Sequence, residues 1–245
     1  MRRPVSARRF AKSRKARSSK KTYTPPRKGG GPINAGLITR ISRNNYGFPD
    51  RLKTKLQYCD VIQLAASAGS PAVWQFRMTS CFDPDYTGTG HQPQWFDQLA
   101  GVYQAYRVVG SKITVTFSPN QVSDIEANDK GPYIVGITGN ENVSFGSANY
   151  PALLEDANSV NTVLGDKQGA NNVKTLSLTY SPTRDMDSDP LDQSLRALTS
   201  NNPSRNFYAN VWALDMSEAS NQDVVAKVQI EFMVEFSTPR INTVS

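Results

Sequence analysis

From Asp83 to Gln94 the chain reads Asp-Pro-Asp-Tyr-Thr-Gly-Thr-Gly-His-Gln-Pro-Gln, and Asp83, Asp85 and Thr87 have the alternate spacing of calcium ligands, with Gly88 at the sixth place. The twelfth place is Gln94, where such a loop needs a bidentate Glu. The competing reading is an ordinary turn, because Asp side chains accept hydrogen bonds from nearby backbone N–H groups and glycine takes positive φ. We adopt that one. Gly88-Thr89-Gly90 lacks both the third glycine of a dinucleotide loop and the lysine of a phosphate loop. His91 is the one imidazole in 245 residues, so no multi-histidine metal centre can form, and no nucleophile is identifiable for it to activate. It is expected at the surface or in an interface. Cys59 and Cys81 form no Cys-x-x-Cys pair and are expected as free, buried thiols on neighbouring strands. The acids of Asp185-Met186-Asp187-Ser188-Asp189 are expected in a solvated loop. The expectation is therefore no enzyme, no cofactor and no metal.

The strongest chemical signal is cationic. Arg2, Arg3, Arg8, Arg9, Lys12, Arg14, Lys15, Arg17, Lys20, Lys21, Arg27 and Lys28 place twelve positive charges in 28 residues that contain no acid. Arg40 and Arg43 raise the count to fourteen before the first acid, Asp50; the remaining 14 basic residues share the rest of the chain with all 21 acids. A +14 leader thus precedes a −7 body, which the overall charge of +7 conceals. With Val5, Phe10 and Tyr23 as its main large apolar groups, the leader cannot bury enough surface to offset its chain entropy and is expected to be disordered when free. Many Lys and Arg on an extended chain suit a polyanion, since each neutralised phosphate releases condensed counterions. Aromatic residues are too sparse there for base stacking, so sequence-independent phosphate contact is expected. Pro25-Pro26 and Gly29-Gly30-Gly31-Pro32 mark a hinge, which divides the chain into residues 1–31, a basic nucleic-acid-binding arm and hinge, and residues 32–245, a folded body.

The body must supply the scaffold, and its apolar residues recur with period two. Leu52, Thr54, Leu56 and Tyr58 alternate with Lys53, Lys55 and Gln57, and the segment continues from Val61 to Leu64. Similar runs cover residues 72–78, 113–117, 133–138, 160–164, 174–180 and 207–214. The longest alternation is the last, with Val224, Ala226, Val228, Ile230, Phe232, Val234 and Phe236 on one face and Lys227, Gln229, Glu231 and Glu235 on the other. About eight strands separated by long loops favour an all-β sandwich, a single eight-stranded jelly roll. One helix is expected where Trp95, Leu99, Val102, Tyr103 and Tyr106 recur at three- and four-residue spacing, and another turn at 152–157. No run of eighteen apolar residues exists, so no membrane insertion is expected.

The block from Cys81 through the Asp-Pro-Asp-Tyr-Thr-Gly-Thr-Gly-His stretch and Trp95-Phe96-Asp97-Gln98-Leu99, continuing over Tyr103–Ile113, resembles capsid proteins of small circular single-stranded DNA viruses that encode a replication initiator, the circovirus-like group. It covers about an eighth of the chain, and the layout of basic arm, hinge and β-rich body extends the likeness. The resemblance implies a jelly-roll shell domain whose copies, commonly sixty, close an icosahedral particle around circular single-stranded DNA. It further implies that the basic positions from Arg2 to Lys28 face the interior and address the protein to the host nucleus through the import machinery. A cell-surface receptor is an implied partner. Sixty arms would bring about 720 positive charges, enough for a similar number of phosphates.

Two other classes compete. A nonassembling nucleic-acid-binding β domain with a basic tail would extend its positive surface onto the fold. A jelly-roll enzyme or carbohydrate binder would need a concave site with convergent polar groups, for which Asp83 and Asp85 are the residues to test.

Overall fold

The computed structural model describes residues 48–66, 70–119, 132–141, 150–165, 172–216 and 222–240, all within the compact unit Leu37–Ser245. The arm and hinge of residues 1–31 lie outside them. In chain order the elements are β1 (Arg51–Ala66), β2 (Ala72–Arg77), α1 (Phe96–Val102), β3 (Tyr103–Pro119), β4 (Tyr133–Asn140), α2 (Tyr150–Glu155), β5 (Ser159–Leu164), β6 (Lys174–Tyr180), α3 (Pro182–Asp185), β7 (Arg196–Leu198), β8 (Tyr208–Asp215) and β9 (Gln222–Pro239).

β9 shows why strands form here. Its seven alternate apolar residues, from Val224 to Phe236, are all essentially inaccessible to solvent, while Lys227, Glu231 and Met233 between them are exposed. A period-two pattern of this kind can bury all its apolar groups on one side only as a strand. β1 does the same with Leu56, Tyr58, Ile62 and Leu64, and pairs antiparallel with β9 over its whole length, from Arg51 opposite Ser237 to Ala66 opposite Gln222.

The antiparallel partnerships are nested: β1 with β9, β2 with β8, β3 with β6, β4 with β5. Such nesting is that of one long hairpin, and β9·β3 and β8·β4 pairing rolls it into two sheets, ordered β1-β9-β3-β6 and β2-β8-β4-β5. This is a jelly roll, and it agrees with the fold read from the sequence. The short β7 adds a ninth strand beside β3, inside a segment whose composition reads as loop. The main core lies between the inner faces, where Val115 and Phe117 of β3 meet Val135 and Ile137 of β4 and Val211 of β8 in one cluster.

β8 is buried on both faces. Its outward Trp212 and Leu214 pack with Leu153 of α2, Val73 and Ile134, so α2 caps the outer side of the smaller sheet. The Trp212 ring lies so close to β4 that a Cβ on Gly136 would stand 2.4 Å from it. Gly136→Ala should therefore destabilise the fold by about 1–3 kcal/mol, the usual cost of overpacking. An unchanged urea midpoint would contradict this packing.

Two sequence expectations need correction. The helical spacing from Trp95 to Tyr106 ends at Val102, and Tyr103 and Tyr106 belong to β3, because their rings are completely buried against Phe236 of β9. Tertiary burial outweighs local periodicity here. Of the cysteines, Cys81 is buried but lies in a loop, whereas Cys59 is exposed, since its phase in β1 is the outward one. Among the described residues no helix is long and apolar enough to cross a membrane.

Candidate nucleic-acid interface

The twelve arm cations from Arg2 to Lys28 fall outside the described residues, so the geometry available is that of the body. Its −7 charge is unevenly spread. Residues directly opposite on neighbouring strands project to the same face, and on the outer face of the larger sheet those positions carry Arg51, Lys53 and Lys55 on β1, Lys227 on β9, Arg107 and Lys112 on β3 and Arg196 on β7. Glu231 and Glu235 oppose them there, and the register adds Asp223 of β9, opposite Ala65, so cations outnumber acids among the described residues of this face. The larger sheet thus has a basic outer surface on a body of opposite net charge.

One row concentrates that charge. Lys53 stands opposite Glu235, Glu235 opposite Arg107, and Arg107 opposite Arg196. Glu235 is 3% exposed and lies 3.3 Å from Lys53 Nζ, 3.5 Å from Arg51 Nη1 and 3.7 Å from Arg107 Nε. Arg107, itself 6% exposed, donates from Nη1 to the Pro190 carbonyl. Arg196 donates to Ser237 Oγ and Thr238 Oγ1. Arg107 and Arg196 are like charges directly opposite, an arrangement that costs stability. Beside them opens a cleft of about 480 Å³ lined by Asp50, Arg51, Arg107, Gln193, Arg196, Ser237, Thr238 and Pro239. Thr238 holds φ at 61°, a region that β-branched residues rarely adopt.

No family model matches the chain, and no curated protein matches it. Solved structures do. Desmodium yellow mottle tymovirus aligns over 84% of this chain and 97% of its own at 14% identity and a TM-score of 0.40. The decameric BFDV capsid protein aligns over 76% and 98% at 10% identity and 0.41, and a semi-empty virus-like particle of the nodavirus of the giant freshwater prawn Macrobrachium rosenbergii over 83% and 100% at 11% and 0.44.

The acidic loop that resembled a calcium site spends its oxygens internally. Arg77 Nη1 donates to Asp83 Oδ2 at 2.7 Å and to the carbonyls of Asp83 and Asp85. Asp85, 1% exposed, accepts from Trp74 Nε1, from the Thr87 N–H and from Thr87 Oγ1. Backbone bonds from Arg77 to Pro84 and from Tyr86 to Gln75 dock the loop along β2. Gly90 permits the close approach, since a Cβ there would meet Asp85 Cβ at 2.7 Å and the Tyr58 hydroxyl at 2.9 Å. The loop is thus the turn, elaborated into a docked structure. The Asp185–Asp189 segment is likewise more ordered than a solvated loop: Asp185 accepts from the Ser181 N–H, and Met186 is buried with its sulfur accepting from Tyr180 Oη.

His91 is exposed, as expected, but not idle. Its Nε2 faces the Cys59 carbonyl at 2.9 Å and its Nδ1 the Gln92 carbonyl at 2.8 Å, while the ring stacks on Tyr58 at 4.6 Å. Both nitrogens can donate only in the imidazolium. The Gln92 and Cys59 carbonyls therefore raise the His91 pKa above its ordinary 6.5, with Asp60 adding to the shift. A folded pKa above the unfolded one gives stability that is complete below pH 6.5 and fades as pH rises through the folded value. The stability gap between wild type and His91→Ala should be largest at pH 5 and shrink in mildly alkaline solution. As the sole histidine, His91 gives one imidazole NMR titration; a midpoint at or below 6.5 would refute the clamp.

The sequence reading missed the Glu235 row. A usable signal existed: Arg51, Lys53 and Lys55 share the outward phase of β1, and Glu231 and Glu235 that of β9.

Proposed function

We propose that this chain is a capsid protein of a small circular single-stranded DNA virus, whose copies close an icosahedral shell, sixty in the simplest arrangement, around DNA held by the basic arm. The observation that carries the reading is the division of charge, fourteen cations before the first acid and a net −7 after it, on a chain whose body is a jelly roll. A charge-dense leader binds phosphate along any backbone path, and a β brick with long loops supplies lateral contacts. Without polyanion, converging arms repel, so assembly and packaging are coupled through salt-sensitive electrostatics. In an expression host the same arm takes RNA. The arm cations also serve nuclear import, a surface receptor completes the partners, and the protein resides in the virion after passage through the host nucleus.

Electron microscopy of purified protein combined with nuclease protection tests this. Uniform closed particles holding protected nucleic acid are expected; monomers under all salt and DNA conditions would refute it. The basic outer face of the larger sheet also suits a nonassembling nucleic-acid-binding domain, whose positive surface extends onto the fold. Particle size separates the two.

A further inference from the structure

We infer that the cleft between the starts of β1 and β7 is a binding site for a backbone phosphate of single-stranded nucleic acid, a contact made by the folded body rather than by the arm. The inference rests on the polyanion reading above and extends it to Arg51, Arg107 and Arg196. Three guanidiniums line the cleft, and together with Lys53 they outnumber two carboxylates, that of Asp50, which also lines it, and that of Glu235, the ion-pair partner of Arg51, Lys53 and Arg107.

Arg107 and Arg196 stand directly opposite each other, so an anion between them relieves their mutual repulsion. Arg107 is preorganised: burial, Glu235 and the Pro190 carbonyl fix it, so little side-chain entropy is lost on binding. Guanidinium forks match phosphate oxygens, and Thr238 and Ser237 hold the Arg196 fork. Among the described residues the lining has no aromatic side chain on which a base could stack, which favours phosphate over base. Asp50 and Arg51, which line the cleft, follow the fourteen cations of the leader in the sequence.

The test uses the full chain and a fluorescent oligothymidylate, in four forms: wild type, Arg51→Gln with Arg196→Gln, all twelve arm cations changed to Gln, and both sets combined. Removing two phosphate contacts should weaken binding about tenfold or more and flatten the dependence of log K on log salt by about 1.4. The combined form should bind more weakly than the arm form alone. Inorganic pyrophosphate should protect Arg196 from phenylglyoxal. Both arginines are at the surface, and matching thermal unfolding shows that the fold is retained.

If the cleft variant binds like its parent in both backgrounds, the cleft proposal fails while the arm reading stands. If the arm variant binds like wild type, the arm reading fails and the cleft is judged on its own pair. Loss of DNA-free assembly at high salt with unchanged oligothymidylate affinity would assign the cleft to a carboxylate of a second copy and overturn the proposal.

Discussion

Changing the twelve cations between Arg2 and Lys28 to glutamine is expected to remove most nucleic-acid capture while leaving the jelly roll folded. Each single-strand phosphate contact contributes about 0.7 to the slope of log K against log salt, so twelve contacts imply a slope of about −8. A fourfold rise in salt would then cost the wild type about 10⁴- to 10⁵-fold in affinity, whereas the variant should bind weakly and keep only the shallow salt dependence of the cleft contacts. The described strands begin at Arg51, after every replaced position, so the urea midpoint should be unchanged. The absorbance ratio at 260 and 280 nm of purified particles and the amount of nuclease-resistant nucleic acid report the outcome. A variant that retains its nucleic acid would show that the body, not the arm, is the principal binder.

The second large effect is expected in the body, at Asp85→Ala. The carboxylate is almost completely buried and takes the Trp74 indole N–H at 3.0 Å, the Thr87 N–H at 3.0 Å and the Thr87 hydroxyl at 2.8 Å. Truncation leaves these donors without an acceptor in a tight space, because Gly90 and Tyr58 close over the loop. A net loss of about 2–4 kcal/mol follows, at the cost of hydrogen bonds to a charged group and of a partly buried orphaned indole. Asp85→Asn keeps acceptor oxygen and should lose less. The expected record is a lower urea midpoint, with greater protease sensitivity between Asp83 and Gln94. A change below about 1 kcal/mol would mean that water replaces the carboxylate and that the loop is not a stability element. Calcium at millimolar concentration should not raise the midpoint of the wild type, since Asp83 Oδ2 and both Asp85 carboxylate oxygens already have donors.

Strand identity was legible wherever one face is apolar and the other wet. The alternation in β9 and β1 is long enough to exclude a helix, and both strands form where it runs. The reading weakened where burial comes from both sides. Tyr103 and Tyr106 fall at helical spacing after Leu99, and only contact with Phe236 decides that they are strand residues. β7 is three residues long and exists because β3 offers Ala105–Arg107 as a partner edge, something no local pattern encodes. The exposure of Cys59 and burial of Cys81 turn on the same distinction between strand phase and loop packing.

By itself the chain of letters determined the charge partition and the apolar alternation. Both are properties of composition and local order, and they suffice to specify a cationic leader and a two-sheet β body. Only the tertiary structure decided which charges meet. Lys53, Glu235, Arg107 and Arg196 come from four strands scattered over most of the body, and they form one row because β9 is inserted between β1 and β3, with β7 on the far side. Register across a sheet depends on pairings between residues remote in sequence, so a buried carboxylate under a basic cleft is written in the fold, and its residues acquire a role only when the hairpin rolls up.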